Sequence, residues 1–246
     1  MQISKLKVFM ISMSLTQSHA QNTTTYKAAA VVNGTVTTLA GSLMYGWMDG
    51  PDSTSLFHRP HGIALDSKRT GNMILVSDAS SNSIRKITPF SGGGWVTATL
   101  AGSYNTGASD GQGISATFDT PRGVAVDSNG IVYVADWQNN LIRKVTPSGL
   151  VSTFAGSGSQ GSVDGQGRAA SFSRPFGVAL DSSGNIFVSD SGNHRIRKIT
   201  PSGLVSTFSG SGSFGFGDGQ GTNASFAYPG GIAVDSDNYV YLYTFP

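Results

Sequence analysis

The feature that most restricts this chain is its self-similarity. Pro121, Pro175 and Pro229 recur at one constant spacing, and Pro60 precedes Pro121 by an interval only slightly longer. Asp127, Asp181 and Asp235 keep the same spacing, with Asp66 ahead of them by the same longer interval. A chain that repeats at a fixed period is an array of one structural unit, and each unit buries its apolar face against its neighbours.

The unit is legible in residues 150–203. Its apolar residues come in strand-length runs, never at helical spacing: Leu150 to Phe154, Val178-Ala179-Leu180, Ile186-Phe187-Val188 and Ile196 to Ile199. The second and third of these are continuously apolar, which predicts strands covered on both faces. Between the runs stand Asp181-Ser182-Ser183-Gly184-Asn185, Asp190-Ser191-Gly192-Asn193 and Thr200-Pro201-Ser202-Gly203, all with turn chemistry. The unit is therefore a four-stranded antiparallel meander. A sheet apolar on both faces must be stacked on copies of itself, and radial stacking gives an all-β fold, the β-propeller. The 33 glycines and the 12% of charged residues suit a turn-rich fold of this kind.

Three stretches also carry a family resemblance. Pro175-Phe176-Gly177-Val178-Ala179-Leu180-Asp181, then Gly184-Asn185-Ile186-Phe187-Val188-Ser189-Asp190, then Asn193-His194-Arg195-Ile196 resemble the NHL repeat. The likeness covers roughly residues 36–243; it is close in the second and third copies, looser in the first and partial in the fourth. It implies a propeller, typically of six blades, that acts as a binding platform.

Residues 1–20 read differently. Lys5 and Lys7 precede the apolar run Val8 to Leu15, and Ser18-His19-Ala20 offers a small-residue cleavage site, the pattern of a secretory signal peptide. Residues 21–246 are then one NHL-type propeller domain, with repeats at about 36–95, 96–149, 150–203 and 204–246. The expected location is secreted or extracytoplasmic. Residues 27–32 and 36–41 read as a third and a fourth strand, while the last repeat offers only a first and a second. These four could complete one shared blade and close a ring of about four blades, or the chain could be an arc of a larger ring. No later run approaches the roughly 20 apolar residues that span a bilayer.

Charge and composition narrow the partners. Without Lys5 and Lys7 the 16 Lys+Arg become 14, against 14 Asp+Glu, so the remaining chain is formally neutral. Nucleic acid, which needs a basic surplus, is not an expected partner. The absence of cysteine excludes disulfides and thiolate chemistry.

The longest connectors start at Gly41, Gly102, Gly156 and Gly210. Each carries an Asp-Gly pair (Asp49, Asp110, Asp164, Asp218), read as a turn, and a Phe three residues before the proline (Phe57, Phe118, Phe172, Phe226), read as a packing anchor. The two G-x-G-x-x-G matches, at Gly156 and Gly210, precede no predicted helix and so are not phosphate sites. The resemblance to the NHL repeat implies that Asp190 and Arg195 pair across their turn, a bridge that Leu141 and Ser83 deny to the other copies. Arg85-Lys86, Arg143-Lys144 and Arg197-Lys198 read either as solvated strand charge or as a basic belt.

Ligand contacts are sought where the copies disagree, because scaffold residues repeat and contacts need not. The residue after each proline is His61, Arg122, Phe176 or Gly230. Trp137-Gln138 and His194 occupy the turn after the second strand, and Trp47 and Tyr104 lie in the long connectors. These positions predict an aromatic-rich recognition face for a protein or a glycan. No nucleophile with a base and no acid pair stands out, so a non-enzymatic binding or scaffold module without a cofactor is expected. The alternative is a metal-dependent propeller lyase or hydrolase using His58, His61 and His194.

Overall fold

A computed structural model describes residues 28–32, 35–66 and 72–245. The signal reading of residues 1–20 and the Asn33-Gly34 turn lie outside them. β1 (Ala28–Val32) and β2 (Thr35–Ala40) form a hairpin. The first full sheet comprises β3 (Gly50–Pro51), β4 (Pro60–Asp66), β5 (Met73–Asp78), β6 (Ser83–Pro89) and β7 (Trp95–Gly102). The second comprises β8 (Gly111–Gln112), β9 (Pro121–Val126), β10 (Val132–Asp136), β11 (Leu141–Val145) and β12 (Leu150–Ala155). The third comprises β13 (Gly165–Gln166), β14 (Pro175–Leu180), β15 (Ile186–Asp190), β16 (Arg195–Ile199) and β17 (Leu204–Ser209). β18 (Pro229–Val234) and β19 (Val240–Thr244) end the array.

Each full sheet is the expected antiparallel meander with one addition. The order β8-β12-β11-β10-β9 places a two-residue strand from the connector against the outermost strand of the same sheet. Gly50–Pro51 and Gly165–Gln166 do the same for β7 and β17. The two partial sheets, β1-β2 and β18-β19, are separate, so the shared blade allowed by the sequence is not formed among the described residues.

The core lies between sheets, as continuously apolar strands require. Every residue of β10 and β15 is buried. Leu75, Ile84 and Leu100 of the first sheet pack with Val124, Val132 and Val145 of the second. Tyr133 and Ile142 of the second pack with Ile186, Val188 and Ile199 of the third. Three of the four phenylalanine anchors fulfil their expectation: Phe57, Phe118 and Phe172 are at most 1% exposed, while Phe226, beside the partial last sheet, is half-buried.

Neighbouring inner strands approach closely enough to demand glycine. A Cβ on Gly123 would lie 2.6 Å from the Phe176 carbonyl oxygen and 2.8 Å from the Val178 nitrogen of the next sheet. The Ser77 hydroxyl donates to the Arg122 carbonyl across the preceding junction. Gly123→Ala is therefore expected to cost about 1–3 kcal/mol of stability in denaturant unfolding, because backbone has to separate to admit one methyl group.

The ion pairs differ from expectation. Asp190 Oδ2 pairs with Arg197 Nη1 at 2.8 Å, not with Arg195, which donates instead to the Ser211 carbonyl. Arg197 sits two residues deeper along the strand and is fully buried, where the Ser171 carbonyl accepts from Nη1 and the Val163 carbonyl and Asp164 accept from Nη2. The end position of Arg195 offers no such set. Every full sheet repeats the arrangement: Arg85 with Asp78 and Asp49, Arg143 with Asp136 and Asp110. The Asp-Gly residues read as turns are thus arginine partners in three connectors. The basic belt is not formed either, since Arg85, Arg143 and Arg197 are 0% exposed and lie 5.1–5.2 Å from the Phe57, Phe118 and Phe172 ring centroids. Burial pushes the Asp136 carboxyl up to about 6 against the pull of Asn139, the Asp119 N–H and Arg143. At Asp110 partial burial is outweighed by Arg143 and Thr153, which hold its carboxyl below the usual range.

The partial sheets lack this pair. Thr244 stands opposite Pro229 as Asp190 stands opposite Pro175, and Ala29 stands opposite Thr38 as Arg143 stands opposite Thr153.

Candidate functional site

The strand register puts all the candidate positions on one face. Pro121, which opens β9, lies opposite Asp136, which closes β10, and Ile142 of β11 lies opposite Ala155 of β12. Long connectors and the turns after the second strands therefore share an end of the sheets. The residue before each inner-strand proline adopts a left-handed conformation: φ is 54° at Arg59, 55° at Thr120, 50° at Arg174 and 41° at Tyr228. A latch from the preceding sheet holds three of these turns. Asn82 Oδ1 accepts the Thr120 N–H, Asn140 Oδ1 accepts the Arg174 N–H, and His194 Nδ1 accepts the Tyr228 N–H at 3.1 Å. Such backbone is unfavourable for residues other than glycine and persists because the latch over-determines it. Its effect is to aim the residue after the proline inward.

Three of those inward residues meet. Arg122 Nη1 donates to His61 Nε2 at 3.0 Å, and the Arg122 guanidinium lies 4.7 Å from the Phe176 ring centroid. The His61 ring meets Phe176 edge-on at 5.5 Å. Trp137 joins from its turn, its ring 4.2 Å from the Arg122 guanidinium and 5.5 Å from that of Arg174. Arginine can only donate, so the His61 Nε2 lone pair accepts and the ring proton is on Nδ1. Burial, and then the Arg122 charge, hold the His61 pKa down at about 4. Together His61, Arg122 and Phe176 line a cavity of about 400 Å³ where the inner strands converge.

The fourth copy fills its share of the cavity in another way. Gly230 stands where the others carry His61, Arg122 and Phe176, and the Tyr243 ring packs on Gly230 and Gly231. The bulk has moved to the neighbouring strand, where the other copies have Ser77, Ala135 and Ser189. From the sequence Tyr243 reads only as a departure from the repeat motif. The signal that marks it is the exchange of a large for a small residue at two adjacent strand positions.

The remaining candidates fall elsewhere. His58, Tyr104 and Tyr45 form one ring cluster: His58 Nδ1 is 3.1 Å from the Tyr104 hydroxyl, and its ring is 5.3 Å from Tyr45. Trp47 lies 6.3 Å from Tyr104 and donates its indole N–H to Thr99. His194, Phe214, Phe216 and Tyr228 form another. Gln138 is exposed beside Trp137. His58, His61 and His194 thus occupy three different clusters and do not build a shared metal site. No group of three or more His, Cys, Asp or Glu suited to a metal occurs among the described residues.

Comparison with known proteins agrees with this repeat geometry. The NHL repeat model matches residues 172–199, and that of the teneurin NHL domain matches residues 101–165. The chain carries NHL repeats. The chloroplastic protein SUPPRESSOR OF QUENCHING 1 of Arabidopsis thaliana is 34% identical over 160 residues, covering 61% of this chain and 14% of that protein. Human NHL repeat-containing protein 2 is 32% identical over 162 residues, covering 56% of this chain and 22% of that one. The NHL array thus spans less than a quarter of either relative. Among solved structures, an auxiliary nutrient binding protein from Bacteroides ovatus superposes with a TM-score of 0.62 at 17% identity, covering 91% of this chain and 57% of that one. A streptogramin B lyase superposes at 0.50 with 17% identity, covering 75% and 48%. These likenesses establish the propeller fold, which carries both binders and enzymes.

Proposed function

We propose that this NHL propeller is a non-enzymatic, extracellular binding or scaffold module that meets a protein or a glycan on the connector face. The observation that carries this reading is the pair of exposed aromatic clusters on that face. Tyr45, Tyr104, Phe214 and Phe216 are 66%, 50%, 58% and 67% exposed, and the connectors of Tyr45 and Tyr104 are held by the buried networks of Arg85 and Arg143. Large rings presented on a rigid scaffold supply contact area at little entropic cost, as recognition hot spots require. The nutrient-binding protein of the same fold supports the reading; the lyase of that fold is the reason to test it.

The test is binding of the full chain to arrayed glycans and extracellular proteins, repeated with Tyr45→Ser, Tyr104→Ser and Phe214→Ser. A ligand whose affinity falls by about tenfold or more in at least one variant, with folding intact, is the expected result. Binding indifferent to all three, or substrate turnover that depends on His61, overturns it. Among the described residues no helix is long and apolar enough to cross a membrane.

A further inference from the structure

We propose that the axial cavity is a second site, for a monocarboxylate with an apolar body, in which Arg122 takes the carboxylate. Its walls are Ile63, Val124, Val178, Ile232 and the rings of Phe176 and Tyr243, and its volume of about 400 Å³ is within the range of small-molecule sites. One cation stands in this apolar lining. The ion pairs of the described residues engage Arg85, Arg143, Arg168 and Arg197, and none engages Arg122.

The Arg122 side chain is held as a receptor would be. Trp137 and Phe176 lie close to its guanidinium at 4.2 and 4.7 Å and confine it between two rings at the cavity wall. Nη1 donates to His61, Nη2 makes no hydrogen bond among the described residues, and Nε is buried as it is in Arg85, Arg143 and Arg197, so the two Nη groups are the open end of the fork. The planar fork matches the two oxygens of a carboxylate, and a half-buried cation without a counter-ion favours an anion. His61 remains neutral at pH 7, so the site holds a single positive charge and matches a single negative one. A polyanion would leave charge uncompensated against apolar walls. The site does not depend on the macromolecular ligand of the connector face: either can exist without the other.

A free small acid and the C-terminal residue of a peptide present the same chemistry. Isothermal titration of the full chain at pH 7 with phenylacetate, with phenylacetamide, and with a peptide ending in Phe as free acid and as C-terminal amide tests the proposal and separates these sources. Phenylacetate is expected to bind at least about tenfold more tightly than phenylacetamide, and Arg122→Met to remove that preference. Arg122→Lys, which keeps the charge without the fork, is expected to lie between. If the free-acid peptide binds more tightly than phenylacetate and amidation abolishes this, the source is a peptide terminus; if the peptide is weaker, it is a small acid. Equal binding of acid and amide, no binding of phenylacetate up to about 10 mM, or unchanged binding in Arg122→Met overturns the proposal. A macromolecular ligand found on the aromatic clusters would survive any of these failures.

Discussion

Arg143→Met is expected to lower the stability of the protein by about 3–5 kcal/mol, as removal of one partner from a buried ion pair does. Arg143 is 0% exposed and satisfies four acceptors at once: Asp136 Oδ2 at 2.9 Å, Asp110 Oδ1 at 2.7 Å, and the carbonyls of Thr117 and Ser109. Methionine fills the space over Phe118 and leaves all four behind, one of them a fully buried carboxylate. The loss is more than electrostatic. The Thr117, Ser109 and Asp110 contacts tie the long connector to its sheet, so the connector loosens with the pair. Urea unfolding measures the cost. Adding Asp136→Asn and Asp110→Asn to Arg143→Met is expected to restore part of the loss, because the stranded charges go with the arginine. Arg195→Met, on the partly exposed end of the equivalent strand, is expected to stay within about 0.5 kcal/mol.

Phe118→Ala is expected to cost a similar amount, about 3–5 kcal/mol, through a cavity instead of a stranded charge. The ring is 0% exposed within the core between the first two sheets, among Leu75, Ile84, Ala101 and Val151. It also lies beneath the Arg143 guanidinium at 5.2 Å, so its removal exposes the edge of the ion-pair network. Thermal or denaturant unfolding of Phe118→Ala beside Phe226→Ala separates the two circumstances. Phe226 is only half-buried, and its connector carries an exposed Asp218, so the second variant is expected to lose less.

These residues show which parts of the fold a sequence reveals. The strand runs and the repeated phenylalanines are legible because burial on both faces leaves continuous apolar residues, and an anchor recurs with its repeat. The arginine network is not. Arg85, Arg143 and Arg197 sit beside lysines and look like surface charge, and nothing local shows that the aspartates satisfying them lie far back along the chain in the connectors. The Gly-Gln clasps are hidden for another reason: two residues are too few for a periodic signal.

The candidate site divides in the same way. Variation among equivalent positions singles out His61, Arg122, Phe176 and Trp137, and the structure brings these four together. The same rule selects His194, whose ring nitrogen does the latching that Asn82 and Asn140 do elsewhere. A histidine in place of asparagine keeps an acceptor at that point, so variation there does not imply a ligand. Tyr243 escapes the rule because its role lies in exchanging volume with Gly230, a relation between strands that no single repeat displays.

The convergence of His61, Arg122 and Phe176 from separate repeats, with Trp137 against Arg122, is the central claim, and an NMR titration of the histidine rings tests it most directly. His61 is expected to be neutral at pH 7 with its proton on Nδ1, to titrate near 4, and to move back toward 6.5 in Arg122→Met as the neighbouring charge is lost. The Trp137 indole signal is expected to shift in the same variant. A His61 that titrates near 6.5 in the unmodified protein, together with a Trp137 signal unmoved by loss of Arg122, would contradict the account.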